Sequence, residues 1–380
     1  MTNNNFSFIL QQIEEMSQSL NGSGSPIDWY KTLQKYEHLV SEKIRNGVFP
    51  EAFSSPLGVQ FELTYNCNLR CIHCYNYSGN RSSDGSKKSG LSELTDEEWL
   101  SVVDDVADMN VFECIISGGE PLLKKGLVFN LMEKLARCNV YFILISNGWL
   151  VDEATISNLT KFKFHYIQIS IDGATPDVHD AIRGRSGSWK RAIQAAGFVK
   201  EAGLPLCIAF TIMNRNFHQL SEIIDMAVYL GADRIIADRF MSTGAAAENS
   251  QNLELPSEWR KEYFELIQRK RNEHQHRILI LSSVDPSIQL RQNIIGPTKV
   301  ALIRPNGDIK LDCISPFVFG NVKRNKLSDV WQRNMSDGWR KKEVIDFVRN
   351  ITSDHALMSN GNFPVPHLQN EINLEHYLGV

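Results

Sequence analysis

The sequence lacks any apolar run that could span a membrane. Its longest apolar runs, such as 141–145, have the length of a strand and fall far short of the ~20 residues that a membrane-spanning helix needs. The N-terminus reads MTNNN and lacks the charged-then-apolar order of a signal peptide. We therefore expect a cytoplasmic protein with no membrane partner.

The chain also has little net charge and few cysteines. A formal charge of −4 over 380 residues gives no reason to expect nucleic acid as a partner. Seven cysteines are too sparse for a disulfide scaffold, and a tight group of them in a reducing compartment indicates metal binding or catalysis. Hydrophobic residues make up 42% of the chain, which is enough for one large domain with an accessory part.

Strand-like and helix-like segments alternate through the middle of the chain. The first of these helices has a clear start, with Thr95 as its N-cap and Glu98 three residues later. Six strands alternating with helices predict parallel βα units, and six units are too few for the usual eight-stranded barrel. The fold class that follows is α/β, with a partial (βα)6 TIM-like barrel. The predicted strands are 58–64, 112–117, 141–146, 166–171, 206–213 and 234–240, and the predicted helices lie near 96–109, 125–137, 152–160, 188–202 and 217–230.

The alternation stops near residue 250. A charged helix is predicted over 256–272, followed by a hairpin of 299–304 and 308–311 that turns at Pro305-Asn306-Gly307, and then by a short helix at 327–333. These elements predict a small α+β C-terminal extension made of a β-hairpin plus a helix. The chain then divides into an N-terminal helical segment (1–52), the partial barrel (53–250), the extension (251–345) and a C-terminal tail (346–380).

Three cysteines fall within eight residues, in the run CNLRCIHC at 67–74, immediately after the first predicted strand. Thiolates hold iron–sulfur clusters, and three on one loop can reach three corners of a cubane. The fourth iron would then lack a protein ligand and could bind a substrate or cofactor. Zinc is the alternative, but structural zinc sites use two such spacings, and no second pair is present. The pattern predicts metal binding through Cys67, Cys71 and Cys74.

This run resembles the signature loop of radical S-adenosylmethionine (SAM) enzymes. The three-then-two spacing is preceded by Thr64-Tyr65-Asn66 and followed by Tyr75, and similar motifs recur in order as far as the sixth predicted strand. The resemblance implies one [4Fe-4S] cluster on the three cysteines, which are then both metal-ligating and catalytic. It also implies that the open iron binds SAM, that one electron cleaves SAM to a 5′-deoxyadenosyl radical, and that this radical abstracts hydrogen from a substrate.

The supporting motifs stand where predicted strands end, the end of a barrel at which active sites lie. SGGEP at 117–121 resembles the family's glycine-rich motif, which binds the SAM amino group, and HDAIRG at 179–184 resembles a stretch whose arginine pairs with the SAM carboxylate. A turn closing a βα unit would also account for SGG at 117–119 and SNG at 146–148. The residues that the resemblance implies in cofactor binding are Tyr75, Gly118, Gly119, Glu120, Ser146, Asn147, Ser170, Asp172, Arg183, Thr211, Asn214 and Arg239.

The C-terminal part departs from the family it resembles. IRPNGDIKLDC at 303–313, GNV at 320–322 and LSDVW at 327–331 resemble the SPASM or twitch extension of peptide-modifying radical SAM enzymes. Such extensions carry several cysteines for auxiliary clusters, whereas this one has only Cys313, so we expect the auxiliary clusters to be lost. Non-cysteine ligands such as Asp312, His355 or His367 would be needed to rescue a site. We expect Cys114, Cys138 and Cys207 to be packing residues.

The resemblance implies an oxidoreductase that matures a ribosomally synthesised peptide by crosslinking or epimerisation. Its partners would be a precursor peptide and an electron donor such as flavodoxin or ferredoxin, and a separate leader-binding protein is left open. Two alternatives stand beside it: a small-molecule radical SAM enzyme of cofactor, sugar or antibiotic biosynthesis, and a non-catalytic metal-binding or sensing protein. Cleavage of SAM by the reduced protein would dismiss the second alternative.

Overall fold

The structure, a computed structural model, describes residues 38, 40–48, 50–76, 78, 92–240, 244–246, 252–256, 259–282, 286–350 and 372–375. The helix predicted near the N-terminus, most of the Ser-, Gly- and Lys-rich loop at 78–90 and most of the C-terminal tail lie outside these residues. Side chains at 260 and 286–289 are also outside the description.

Each of the six predicted strands is present, and the six pair in parallel in the order of the sequence. A short parallel strand, β7, follows β6 at the far edge. The sheet is open, as expected for a partial barrel, so the predicted α/β fold class is confirmed. The strands are β1 Gly58–Glu62, β2 Glu113–Ser117, β3 Tyr141–Ser146, β4 Phe164–Ser170, β5 Leu206–Ile212, β6 Arg234–Arg239 and β7 Leu279–Leu281.

Helices connect the strands and bury their apolar faces against one side of the sheet. The capping box predicted at Thr95 is present, because its side chain accepts from Glu98 N while the Glu98 side chain accepts from Thr95 N. The charged helix at 256–272 is also present, as α7. The helices are α1 Asp96–Asp108, α2 Lys125–Ala136, α3 Glu153–Leu159, α4 Pro176–Arg183, α5 Ser188–Glu201, α6 Leu220–Tyr229, α7 Trp259–His274 and α8 Pro286–Asn293.

Burial alternates along the strands in a way that leaves one face of the sheet accessible. On β1, Val59 and Phe61 are fully buried while Gln60 between them is half-buried, and on β2 Cys114 and Ile116 flank a half-buried Ile115. The fully buried positions pack against the helices and form the core. The half-buried positions therefore mark the face where a ligand can enter.

The C-terminal extension continues the barrel sheet instead of forming a separate sheet. Its first strand, β8 (Val300–Ile303), pairs in parallel with β1, and the predicted hairpin follows as β9 (Asp308–Lys310), antiparallel to β8. The sheet continues through β10 (Phe317–Asn321) to β11 (Ile372–Asn373). Beside it lie two further helices, α9 Leu327–Val330 and α10 Lys342–Asn350.

Among the described residues, no helix combines the length and the apolar character needed to cross a membrane.

Candidate active site

The cysteine loop follows β1 and lies across the carboxyl ends of the barrel strands. Two other segments hold it through backbone hydrogen bonds. Ile72 N donates to Ile182 O at 3.0 Å, which joins the loop to the end of α4. Ala245 N, beyond the end of β6, donates to Cys74 O at 2.8 Å. The loop is therefore fixed by parts of the chain that are more than a hundred residues away.

The glycine motif after β2 runs alongside the start of the cysteine loop. Gly119 N donates to Thr64 O at 2.6 Å, and Glu120 N donates to Asn66 O at 2.9 Å. Gly118 has a φ of +136°, which favours glycine, and a Cβ built on Gly119 would overlap the carbonyl group of Asn66. These two glycines are thus required by the close approach of two backbones, beyond what a simple turn needs.

The Glu120 side chain ties the ends of β2 and β3 together. It is fully buried, and its Oε1 accepts from Ser146 Oγ at 2.9 Å and from Leu122 N at 3.1 Å. Its Oε2 accepts from Asn147 N at 2.9 Å. Burial raises the pKa of Glu120 to about 7, although these three donors oppose the shift. The glycine motif and the SNG motif therefore form one joined surface beneath the cysteine loop.

Asn147 connects that surface to Cys67, the first cysteine of the loop. Its Nδ2 donates to Asn68 Oδ1 at 2.8 Å and lies 3.7 Å from Cys67 Sγ. Leu69 N also donates to Cys67 Sγ, at 3.4 Å. Amide donors around a sulfur stabilise negative charge on it, as the thiolate ligands of a cluster require.

Asp172, just beyond β4, links the second half of the cysteine loop to α4. It is fully buried, and its Oδ2 lies 2.6 Å from Arg183 Nε and 3.3 Å from His73 Nε2. Its Oδ1 accepts from Thr211 N at 2.8 Å. Burial opposes ionisation of this carboxyl, but the Arg183 guanidinium and His73 hold its pKa below the ordinary value. Burial also lowers the pKa of His73 to about 4, so this imidazole is neutral at pH 7.

Arg183 reaches the second cysteine directly. Its Nη1 donates to Cys71 Sγ at 3.7 Å while its Nε faces Asp172. Its remaining nitrogen, Nη2, has no hydrogen-bond partner within the described part of the chain. A bidentate contact with a carboxylate from outside the protein would therefore use Nη2 together with Nη1.

Burial keeps the three thiols protonated when no metal is bound. Burial raises the pKa of Cys67 to about 12 and that of Cys71 to about 11, and it raises the pKa of Cys74 as well. Iron would supply the positive charge that a buried thiolate lacks, which is why metal binding releases the thiol protons. The donor set of three clustered thiols with amide and guanidinium donors around the sulfurs fits a cluster.

The spacing of the sulfur atoms separates a cluster from a single ion. One tetrahedral zinc ion, with Zn–S bonds of about 2.3 Å, would draw its sulfurs to roughly 4 Å from one another. Among the described residues, Cys67, Cys71 and Cys74 are not a group whose ligand atoms all lie within 4.8 Å of one another. The cysteines thus fit a cluster that distributes its ligands over three iron atoms better than one zinc ion.

In a different group of described residues, Asp225, Glu273 and His274, the potential metal-ligand atoms do lie within 4.8 Å of one another. The ammonium of Lys270 lies between the two acids, 2.7 Å from Asp225 Oδ1 and 3.1 Å from Glu273 Oε2. Lys270 therefore already pairs with both carboxylates, and we interpret the group as an ion-pair network between α6 and α7.

The remaining predicted residues lie at the same end of the sheet but differ in their contacts. The Tyr75 hydroxyl donates to Glu62 Oε1 at 3.1 Å, which turns this ring towards β1. Ser170 ends β4 and Arg239 ends β6. Within the described part of the chain, neither Ser170 nor Asn214 makes a side-chain hydrogen bond to the cysteine loop.

A buried network that the sequence did not indicate joins the loop to the extension. Glu62 is 1% exposed and Arg304 is 4% exposed, and Arg304 Nε lies 3.4 Å from Glu62 Oε2. Arg304 Nη2 donates to Asn76 Oδ1 at 2.8 Å, and Asn76 Nδ2 donates to Glu62 Oε2 at 3.3 Å. Sequence analysis also missed Asn216, which is fully buried and donates to the backbone oxygens of Asp172 and Thr211.

The cysteines outside the loop follow the expectation in part. Cys114 and Cys207 are fully buried in their strands, as predicted for packing residues. Cys138 is exposed, so its assignment as a packing residue is wrong; it stands beyond the last residue of α2, where its side chain meets solvent. Cys313 is half-buried, and its electrostatic neighbours include Glu62 and Asp312.

Comparison with known proteins gives concordant results. Residues 61–227 match the family profile described as Radical SAM superfamily. The PqqA peptide cyclase of Granulibacter bethesdensis is 28% identical over 285 residues, which cover 73% of this chain and 74% of that protein. The mycofactocin maturase MftC of Mycolicibacterium smegmatis is 28% identical over 327 residues, covering 83% and 78%.

Among solved structures, Streptococcus suis SuiB bound to the precursor peptide SuiA superposes with a TM-score of 0.59 at 17% identity, covering 83% of this chain and 72% of that one. At this identity the likeness supports the fold.

Proposed function

We propose that this chain is a radical SAM peptide maturase that uses one [4Fe-4S] cluster and SAM, since residues 61–227 match that family's profile and two relatives are a peptide cyclase and a maturase. The observation that carries the proposal is the cysteine loop, whose sulfurs of Cys67 and Cys71 face amide and guanidinium donors and whose backbone is fixed by the glycine motif. When bound, the cluster and SAM supply a 5′-deoxyadenosyl radical that abstracts hydrogen. The protein binds, orients and shields these groups.

Each group in the site then has a distinct role. Cys67, Cys71 and Cys74 hold three irons. The Gly118-Gly119 backbone packs directly against the start of the loop and holds it in place, while Glu120 keeps that backbone joined to β3. We assign Arg183 Nη2 to the SAM carboxylate, since that nitrogen makes no hydrogen bond within the described residues and a forked guanidinium suits a carboxylate.

The peptide substrate is supported by the relatives, two of which are named for peptides or their maturation. It is also compatible with the half-buried face of the sheet, which leaves the barrel mouth open to a chain segment. The C-terminal extension, continuous with β1, borders that mouth and corresponds in our proposal to a SPASM-like extension without auxiliary clusters. A precursor peptide, an electron donor and a leader-binding protein are the partners we propose.

The decisive experiment is an anaerobic incubation of the reconstituted, reduced protein with SAM and candidate precursor peptides. We expect 5′-deoxyadenosine, and we expect a mass change in the peptide that matches loss of hydrogen for a crosslink, or deuterium uptake from solvent for an epimer. Cys71→Ala should abolish 5′-deoxyadenosine formation. Cys138→Ala, which changes an exposed cysteine outside the loop, is the matched control and should keep it.

The outcomes separate the alternatives. Formation of 5′-deoxyadenosine without change in any peptide, but with turnover of a small molecule, would favour a small-molecule enzyme. A wild-type protein that holds zinc instead of iron after anaerobic reconstitution would refute the proposal altogether.

A further inference from the structure

The end of α4 is built against the cysteine loop. Arg183 is the last residue of the helix and is 8% exposed, and Gly184 after it adopts a left-handed φ of +66°. A Cβ on Gly184 would lie 2.5 Å from Arg70 O, so the helix end and the loop touch backbone to backbone. Because the backbone of the helix end contacts the loop, the guanidinium of Arg183 lies close to the loop.

Asp172 fixes the orientation of that guanidinium. Its Oδ1 is engaged by Thr211 N at 2.8 Å, which leaves Oδ2 to face Arg183 Nε at 2.6 Å. With Nε held on that side, Nη1 points to Cys71 Sγ at 3.7 Å. The positive end of the Asp172–Arg183 pair is therefore the end nearer the sulfur.

A hydrogen-bond donor and a cation beside a cluster sulfur affect the two oxidation states unequally. The reduced cluster carries one more negative charge, so it gains more from a nearby positive group, and hydrogen bonds to the sulfurs and net charge both set the potential. Both residues are buried, so water and salt screen the interaction poorly. The effect does not require SAM to be present.

We propose that Arg183, positioned by Asp172, raises the reduction potential of the cluster through its hydrogen bond to Cys71 Sγ, in addition to any contact with SAM. This inference rests on the proposed function, since it requires that the three cysteines hold a cluster. It predicts a role that is measurable before any substrate or SAM is added.

The test is to measure the midpoint potential of the cluster in the anaerobically reconstituted protein without SAM. Electron paramagnetic resonance monitors the reduction of the cluster during the titration. Arg183→Gln should move the midpoint to more negative values. Arg183→Lys should move it in the same direction by less, because one ammonium cannot both pair with Asp172 and reach the sulfur.

Arg185 provides the matched control. It carries the same charge two residues away, donates to Asn68 O at 2.8 Å and stacks on Trp149 at 3.6 Å, without a contact to a cysteine sulfur. Arg185→Gln removes the same charge without removing a donor to a sulfur, so it should move the midpoint by less than Arg183→Gln does.

The results decide between the two claims. Midpoints for Arg183→Gln and Arg183→Lys equal to or above that of the wild type, at the wild-type iron content, would overturn this inference and leave the proposed function intact. If Arg183→Gln does not hold a cluster, the midpoint of Arg183→Lys decides in the same way. Failure of the wild-type protein to take up a cluster would instead overturn the proposed function.

Discussion

Arg304 offers a sharp test of how the extension is held on the barrel. The side chain pairs with Glu62 at 3.4 Å and donates to Asn76 at 2.8 Å, and all three residues are buried. In Arg304→Met the apolar stem remains, but Glu62 keeps a buried charge whose only remaining donors in the network are the Tyr75 hydroxyl and Asn76 Nδ2. The perturbation therefore removes charge compensation with little change in packed volume.

The expected loss of stability can be bounded from both sides. Breaking a buried ion pair by removing one partner costs about 3–5 kcal/mol. The penalty for leaving a carboxylate uncompensated at pH 7 cannot exceed that of protonating it, about 4 kcal/mol from the reference carboxyl value. We therefore expect Arg304→Met to lower the free energy of unfolding by about 3–4 kcal/mol at pH 7.

The measurement is urea denaturation followed by both tryptophan fluorescence and circular dichroism, since coincident transitions support a two-state treatment. Glu62→Gln/Arg304→Met should be more stable than Arg304→Met alone, because the double variant carries no unpaired charge. Lys134→Met is the control: it breaks an exposed pair with Asp104 and should cost less than about 1 kcal/mol. A loss below about 1 kcal/mol in Arg304→Met, or a double variant that is no more stable than Arg304→Met, would refute this reasoning.

Three further predictions follow from the site and the barrel. Gly119→Ala should abolish cluster uptake in iron and sulfide analysis, because the added methyl group overlaps Asn66; wild-type iron content in this variant would contradict the close approach. Burial raises the pKa of Glu113 to about 7 in the folded state, so the folded protein holds this proton more tightly than the unfolded chain does. The free energy of unfolding should therefore fall as pH rises from about 4.5 to about 7. Glu113→Gln should flatten that fall in urea midpoints between pH 5 and pH 8, and equal slopes in the two proteins would count against it. Cys313→Ala should leave about four irons per chain, since one thiol cannot hold a second cluster; a fall from eight to four would reveal an auxiliary cluster.

The strands of the barrel could be predicted because each is a short apolar run that ends at a polar or glycine-rich motif. Local signals also indicate helix α4, although the sequence analysis did not predict it. Thr175-Pro176 is a typical helix start, with proline at the first helical position, and Gly184 is a typical helix end. The segment was interpreted only as a cofactor motif, although its last helical residue, Arg183, gains its position from the helix.

The Glu62–Arg304 pair could not have been predicted in this way. Arg304 follows β8, and it meets Glu62 only because Phe61 is in register with Ile303 across a parallel pairing of β1 and β8. The sequence indicated a hairpin that begins with β8, but nothing local states which barrel strand the hairpin joins. Register between distant strands is decided by the whole packed sheet, so this part of the site required the structure.

The glycines show how local signals combine into one place in space. Gly119 packs against Asn66, Gly184 against Arg70 and Gly244 against Tyr75, so glycines that follow β2, α4 and β6 meet successive parts of one loop. Taken singly, Gly119 is explained by a turn after a strand and Gly184 by the end of a helix, so neither glycine alone indicates a shared site. Only glycine allows backbone to approach backbone this closely, and three such approaches to a ten-residue stretch exceed what three independent turns would produce. Backbone contacts therefore hold the cysteine loop at three points along its length.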